Sequence, residues 1–288
     1  MTLFKSINGL LPLRKKLLQN CIFVAFCGTI SSCSGSLFVD DSVIKINFQH
    51  SQLGTYSQAS ASKDFDVDLK WSDGLNQGRA MILAENDNHF LRISYPAGGV
   101  GPANGGAQFI IPFEHAYNEL YLSYRVRFGP HFEFVKGGKL PGLIGGKHPT
   151  GCKPDADGFS ARNMWRPDGL LVQYVYWPNQ PGICGDDLPY KNATGKKLVD
   201  TDRWYHVVHR IKLNELNKNN GVLQAWVDGE LLLDENSRIW RLGNATFGID
   251  GFYFSTFFGG NDPSWAPTTD QFVDFDDFVV SERPIALK

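Results

Sequence analysis

Apolar and polar positions alternate with a period of two along most of this chain. Such runs fall at 43–48, 79–84, 90–95, 107–113, 120–128, 204–213, 222–227, 230–233, 251–258 and 272–281. Alternation sends successive side chains to opposite faces, so each run reads as a strand with one face in a core. Clusters of Gly, Pro, Asn and Asp separate the runs, and Val227-Asp228-Gly229-Glu230 reads as a hairpin turn. No long run carries a helical period. The pattern predicts an all-β fold, an antiparallel β-sandwich. With no repeat and no second composition regime, residues 42–288 read as a single domain, a common size for an all-β unit.

One further hairpin, 159–177, follows from turn chemistry. Pro167 presets φ at the first turn position, Asp168 suits the second, and Gly169 accepts a left-handed third. A type I turn followed by a left-handed glycine makes a three-residue loop and pairs Arg166 with Leu170. Arg162 then falls opposite Tyr174, Ser160 opposite Tyr176, and Asn163 opposite Gln173. One face carries Ser160, Arg162, Tyr174 and Tyr176 within cross-strand reach. The other carries Phe159, Ala161, Trp165, Leu171, Val175 and Trp177, which suits a core. A two-residue turn would shift the register by one and separate Arg162 from Tyr174.

The 42% hydrophobic and 13% aromatic content suffices for a core. The first residues are not part of it. Arg14, Lys15 and Lys16 precede an apolar run from Leu17 to Ile30, a secretory signal pattern. It ends in Ile30-Ser31-Ser32-Cys33, which resembles a bacterial lipobox. That resemblance implies cleavage after 1–32, lipidation of Cys33 and a tether over 33–41. A plain signal or a membrane-anchor helix is the competing reading, although the run is short for a span. The expected location is the cell surface or periplasm as a lipoprotein, or the medium.

Loss of 1–32 removes four basic residues and no acidic ones. The remaining 24 basic and 30 acidic residues give a net charge of −6, unsuited to nucleic acid. The span 136–166 runs the other way. It holds Lys136, Lys139, Lys147, Lys153, Arg162 and Arg166 against Asp155 and Asp157, a local +4 that a polyanion could occupy. A solvated loop would read the same way on charge alone. Cys152 and Cys184 survive export as an even pair flanking the hairpin and are read as a disulfide.

The stretch 135–177 also carries a family resemblance. KGGKLPGL, then S-x-R, then Y-x-Y beginning twelve residues after the Arg, resembles the family 14 polysaccharide lyases. These alginate and polyglucuronate lyases have a β-jelly-roll fold. By position the resemblance implies catalytic roles for Lys139, Ser160, Arg162, Tyr174 and Tyr176. Lys136 is a rival for the Lys139 role. Lys136 and Gly138 are expected to bind substrate, the glycine by letting a sugar approach the backbone.

The chemistry suits those residues. Eliminating the glycosidic oxygen of a uronate requires removing the C5 proton, α to a carboxylate. A cation must neutralise the carboxylate and hold the developing enolate. Lys139 and Arg162 are the candidates, Arg as a bidentate fork. Tyr174, opposite Arg162, is the expected base, and Tyr176 the acid or a positioning group. Ser160 has no His–Asp partner and is not read as a triad nucleophile. The expected partner is an anionic polysaccharide. No cofactor, metal or nucleic acid is expected, the membrane contact is the lipid anchor alone, and a monomer is the expected state.

Weaker features stay outside this reading. Asp64, Asp66 and Asp68 alternate along a possible strand, as do Asp274 and Asp276, a calcium-like pattern that a solvated strand edge also produces. His148 is a lone histidine near the cationic span. Two other function classes remain open. A non-catalytic carbohydrate-binding jelly roll would use the same face without turnover. A glycoside hydrolase would need two facing carboxylates, which the hairpin face lacks.

Overall fold

In the computed structural model, which describes residues 42–287, the period-two runs pair into two antiparallel sheets. The segment 1–32, the tether 33–41 and Cys33 lie outside the described residues. The larger sheet has nine strands. Its order is Glu230–Arg238, Gly221–Val227, Trp204–Lys212, Glu119–Phe128, Gln271–Ser281, Asn88–Tyr95, Ala80–Glu85 and Gly54–Thr55, with Ser42–Ile46 also paired to Gln271–Ser281. The second sheet runs Asp186–Pro189, Leu171–Tyr176, Gly158–Trp165, Gly138–Gly146, Ile249–Thr256 and Ala107–Tyr117. Its inner face stacks on the larger sheet. Phe254 of one meets Phe275 of the other at 5.4 Å between ring centroids. Trp165 is packed edge-on by Tyr95, Phe128, Phe132 and Phe258. This aromatic core makes the sheet a firm platform for its outer face.

The hairpin pairs Arg162 with Tyr174, Ser160 with Tyr176 and Asn163 with Gln173, the expected register. The turn itself differs. Asp168 sits at φ 61°, ψ 17° and Gly169 at φ 77°, so two consecutive residues are left-handed. A type I turn would leave the Asp position at negative φ. Asp tolerates the left-handed region, and the loop length, hence the register, is unchanged.

Three further departures have physical causes. Gly138–Gly146, absent from the period-two runs, is a central strand. Both its faces are buried, so it shows no alternation, and its register shifts between Lys139 and Gly142 around Pro141. Residues Gln58–Asp64 form a helix capped by Ser57, too short to display a period. Asp64 therefore ends a helix and does not alternate with Asp66 and Asp68 along a strand. Asp274 lies on a strand, but as a buried ion-pair partner of Arg92 and Arg127.

Candidate active site

The outer face of the six-stranded sheet forms the floor of a cavity of about 830 Å³. Lys139, Arg162, Met164, Tyr174, Tyr176 and Tyr253 line it, together with Gln108, Arg166, Asp187 and Trp265. Alternation along the Gly158–Trp165 and Leu171–Tyr176 strands places these groups together, as the hairpin register predicts.

Arg162 is 2% exposed. Its Nη1 donates to Ser255 Oγ at 3.2 Å and its guanidinium lies 5.2 Å from the Tyr253 ring centroid. Its Nε meets no protein acceptor. No described carboxylate forms an ion pair with it. A buried guanidinium without a counter-charge is costly, and an anionic ligand would supply the missing charge.

Lys139 is also buried. Its Nζ lies 3.4 Å from the centroid of the Tyr174 ring and 3.0 Å from Met164 Sδ. Burial first, then the charges of Arg162 and Arg166, push its ammonium well below the usual lysine range; Asp187 opposes this weakly. Burial and the two neighbouring cations thus weigh against the ammonium form.

Both tyrosine hydroxyls are held by backbone. Cys152 N–H donates to Tyr176 Oη at 2.8 Å, and Gly185 N–H donates to Tyr174 Oη at 3.1 Å. The Cys152–Cys184 disulfide is formed and joins the two loops that supply these donors. The rings meet edge-on at 5.6 Å. Burial and the neighbouring Tyr176 push the Tyr174 phenol upward, outweighing the Gly185 N–H and Arg162. A phenol so raised keeps its proton and can donate it.

Three expected site residues, Ser160, Gly138 and Lys136, lie outside the cavity lining. Ser160 shares the face of Arg162 but is fully buried and does not line the cavity; its Oγ donates to Pro149 O at 2.7 Å, anchoring the loop that leads to Cys152. Gly138 does not line the cavity either. A Cβ there would fall 2.0 Å from the Trp165 ring, so close indole packing requires this glycine, not the approach of a sugar. Lys136 is exposed, outside the cavity lining, and donates to Ser264 Oγ. The lysine inside the site is Lys139. His148 is exposed and does not line the cavity.

Sequence reasoning missed Tyr253, Met164 and Asp187, which carry no motif. It also missed a polar network beneath the floor. Tyr190 Oη lies within hydrogen-bond reach of Asn163 Oδ1 and, at 2.7 Å, of Gln173 Oε1, and its single proton serves one of them at a time; both amides approach His209 Nδ1, at 3.3 and 3.4 Å. Burial lowers the His209 pKa to about 3, so the ring is neutral. The opposed Asn163–Gln173 pair was the available signal, since two amides on a core face need partners.

The family model for polysaccharide lyase 14 matches residues 84–278, and the chain belongs to that family. Among solved structures, the alginate lyase Aly36B is 28% identical with a TM-score of 0.71, over 85% of this chain and 98% of its own. A lysine–methionine double mutant of Aly36B in complex with an alginate trisaccharide is 26% identical with a TM-score of 0.72, over 84% of this chain and 98% of its own. The marine alginate lyase of Aplysia kurodai is 23% identical with a TM-score of 0.69, over 84% of this chain and 99% of its own, and shows the shared fold. No curated protein matches the sequence.

Proposed function

We propose that this polysaccharide lyase cleaves a polyuronate, alginate or polyglucuronate, by β-elimination in the cavity above Arg162. The observation that carries this reading is a buried guanidinium with no carboxylate partner, beside a buried lysine and the hydroxyls of Tyr174 and Tyr176. Arg162 takes the substrate carboxylate and holds the charge that builds as the C5 proton leaves. The Lys139 amine accepts that proton. The electrons form the C4–C5 double bond, the C4–O bond breaks, and a tyrosine hydroxyl protonates the departing oxygen.

This assignment reverses the expectation that Tyr174 is the base. A phenol pushed up by burial is a poor base and a serviceable acid, whereas a buried amine between two guanidinium groups is a serviceable base. Tyr174, under the Lys139 amine, is the nearer acid. Tyr176 positions it through the edge-on contact.

The enzyme works outside the cytoplasm as a monomer, held to a membrane by lipid on Cys33. The lipobox-like Ile30-Ser31-Ser32-Cys33 and the Cys152–Cys184 disulfide support this placement. Incubation with alginate and with polyglucuronate, followed by ultraviolet absorbance of the new double bond, tests the activity. Absorbance rising with either polymer is expected. Binding of both polymers without any rise would instead indicate a carbohydrate-binding module.

A further inference from the structure

The cavity extends past Tyr174 to an aromatic residue that no motif singles out. Trp265 ends the short turn Pro263–Trp265, fixed by Asp262, whose side chain accepts the Ser264 N–H. Gly260 lies against the indole. At φ 81° its backbone comes so close that a Cβ would fall 2.3 Å from three ring atoms. Trp265 also packs against the cluster of Met164, Val172, Tyr174 and Tyr176, so its position is coupled to the catalytic floor.

Two cations flank this ring. Lys136 Nζ is 5.9 Å and the Arg166 guanidinium 5.8 Å from its centroid. Arg166 also lies 5.7 Å from the Tyr174 centroid, between the two aromatics. It is held there by Asp187 at 2.7 Å and by the Lys136 carbonyl at 3.4 Å. A half-buried indole lining a cavity beside two cations suits a ligand with a flat apolar face and a carboxylate.

We infer that Trp265, Lys136 and Arg166 form a subsite for the uronate residue next to the one being cleaved. The indole packs on the pyranose, and Lys136, which has no carboxylate partner among the described ion pairs, takes its carboxylate beside the Asp187-paired Arg166. The inference rests on the polyuronate reading of the cavity. It makes Trp265 a binding residue that draws the chain across Tyr174, and it explains why Lys136 lies near the site but outside the reaction centre.

Steady-state kinetics of wild type, Trp265→Ala, Trp265→Phe and the exposed-site variant Lys136→Gln on alginate and polyglucuronate test it. Calorimetric binding of oligouronates to the same substitutions in a Lys139→Ala background provides a second readout. Trp265→Ala is expected to raise KM and Kd about two- to tenfold, the scale of a lost aromatic contact. Phe should restore part of the loss, and Lys136→Gln should weaken binding in a salt-sensitive way. KM and Kd within twofold of wild type for both Trp265→Phe and Lys136→Gln, with Trp265→Ala either unfolded or likewise unchanged, would overturn the subsite. Weakened binding with no turnover in wild type would sustain the subsite while refuting the lyase; normal turnover with unchanged binding would do the opposite.

Discussion

The hydroxyl oxygen of Tyr176 accepts the backbone N–H of Cys152 at 2.8 Å. The same disulfide brings Gly185 N–H to Tyr174. The cross-link therefore reaches the reaction centre through two hydrogen bonds, besides stabilising the fold. Its closed loop, with a separation of 32 residues, would contribute about 3–4 kcal/mol in the chain-entropy model. Reduction, or Cys184→Ser, should lower the Tm by roughly 10 °C. At temperatures where the reduced protein is still folded, it should also lower kcat more than KM. An unchanged kcat there would show that the disulfide acts on stability alone.

The buried position of Lys139 sets a pH dependence. The amine must be uncharged to accept a proton, so turnover should rise as pH climbs through its depressed pKa and persist until a tyrosine deprotonates. Burial moves the Tyr174 limit upward, which widens the active range on the alkaline side. Lys139→Arg keeps a cation but removes the base, and about a hundred- to ten-thousandfold of the rate should be lost. A Lys139→Arg enzyme with near-normal kcat and the wild-type acidic limb would return the base role to Tyr174.

Gly142 pairs with Arg162 across the two central strands. A Cβ at Gly142 would fall 2.1 Å from Ala161 O and 2.5 Å from Arg162 Cα. Backbone atoms inside a sheet cannot yield as a side-chain tip can. Gly142→Ala should destabilise by about 1–3 kcal/mol or more and displace the guanidinium. Denaturant unfolding and kcat should fall together; a stable, fully active variant would contradict the close approach.

The proposed anchoring through Cys33 predicts that Cys33→Ser releases the protein from the membrane fraction or blocks its maturation. Unchanged membrane partition in that variant would exclude lipidation at this cysteine.

The sandwich was legible because most strands bury one face and so alternate. The Arg162–Tyr174 pairing was legible from Pro167-Asp168-Gly169, since loop length determines register even where the turn conformation differs from expectation. The strand Gly138–Gly146 was not legible. Buried on both faces and rich in glycine, it shows neither alternation nor β-branched character, only the close approaches that Trp165 and Arg162 impose. The burial of Ser160 on the correct face was equally hidden, because its partner is the main-chain carbonyl of Pro149. The proposed exchange of roles between Lys139 and Tyr174 rests on burial and on neighbours distant in sequence.

The central claim is that the bond is broken by elimination rather than hydrolysis at the cavity of Arg162. Digestion of alginate and polyglucuronate in oxygen-18-labelled water, with mass analysis of the new chain ends, tests it directly. Elimination makes every new non-reducing end unsaturated and leaves the glycosidic oxygen on C1 of the departing fragment, with no solvent oxygen added in the cleavage step, and Arg162→Ala should lower that rate about a hundred- to a thousandfold. Saturated new non-reducing ends, or unsaturated ends formed at an undiminished rate by Arg162→Ala, would contradict it.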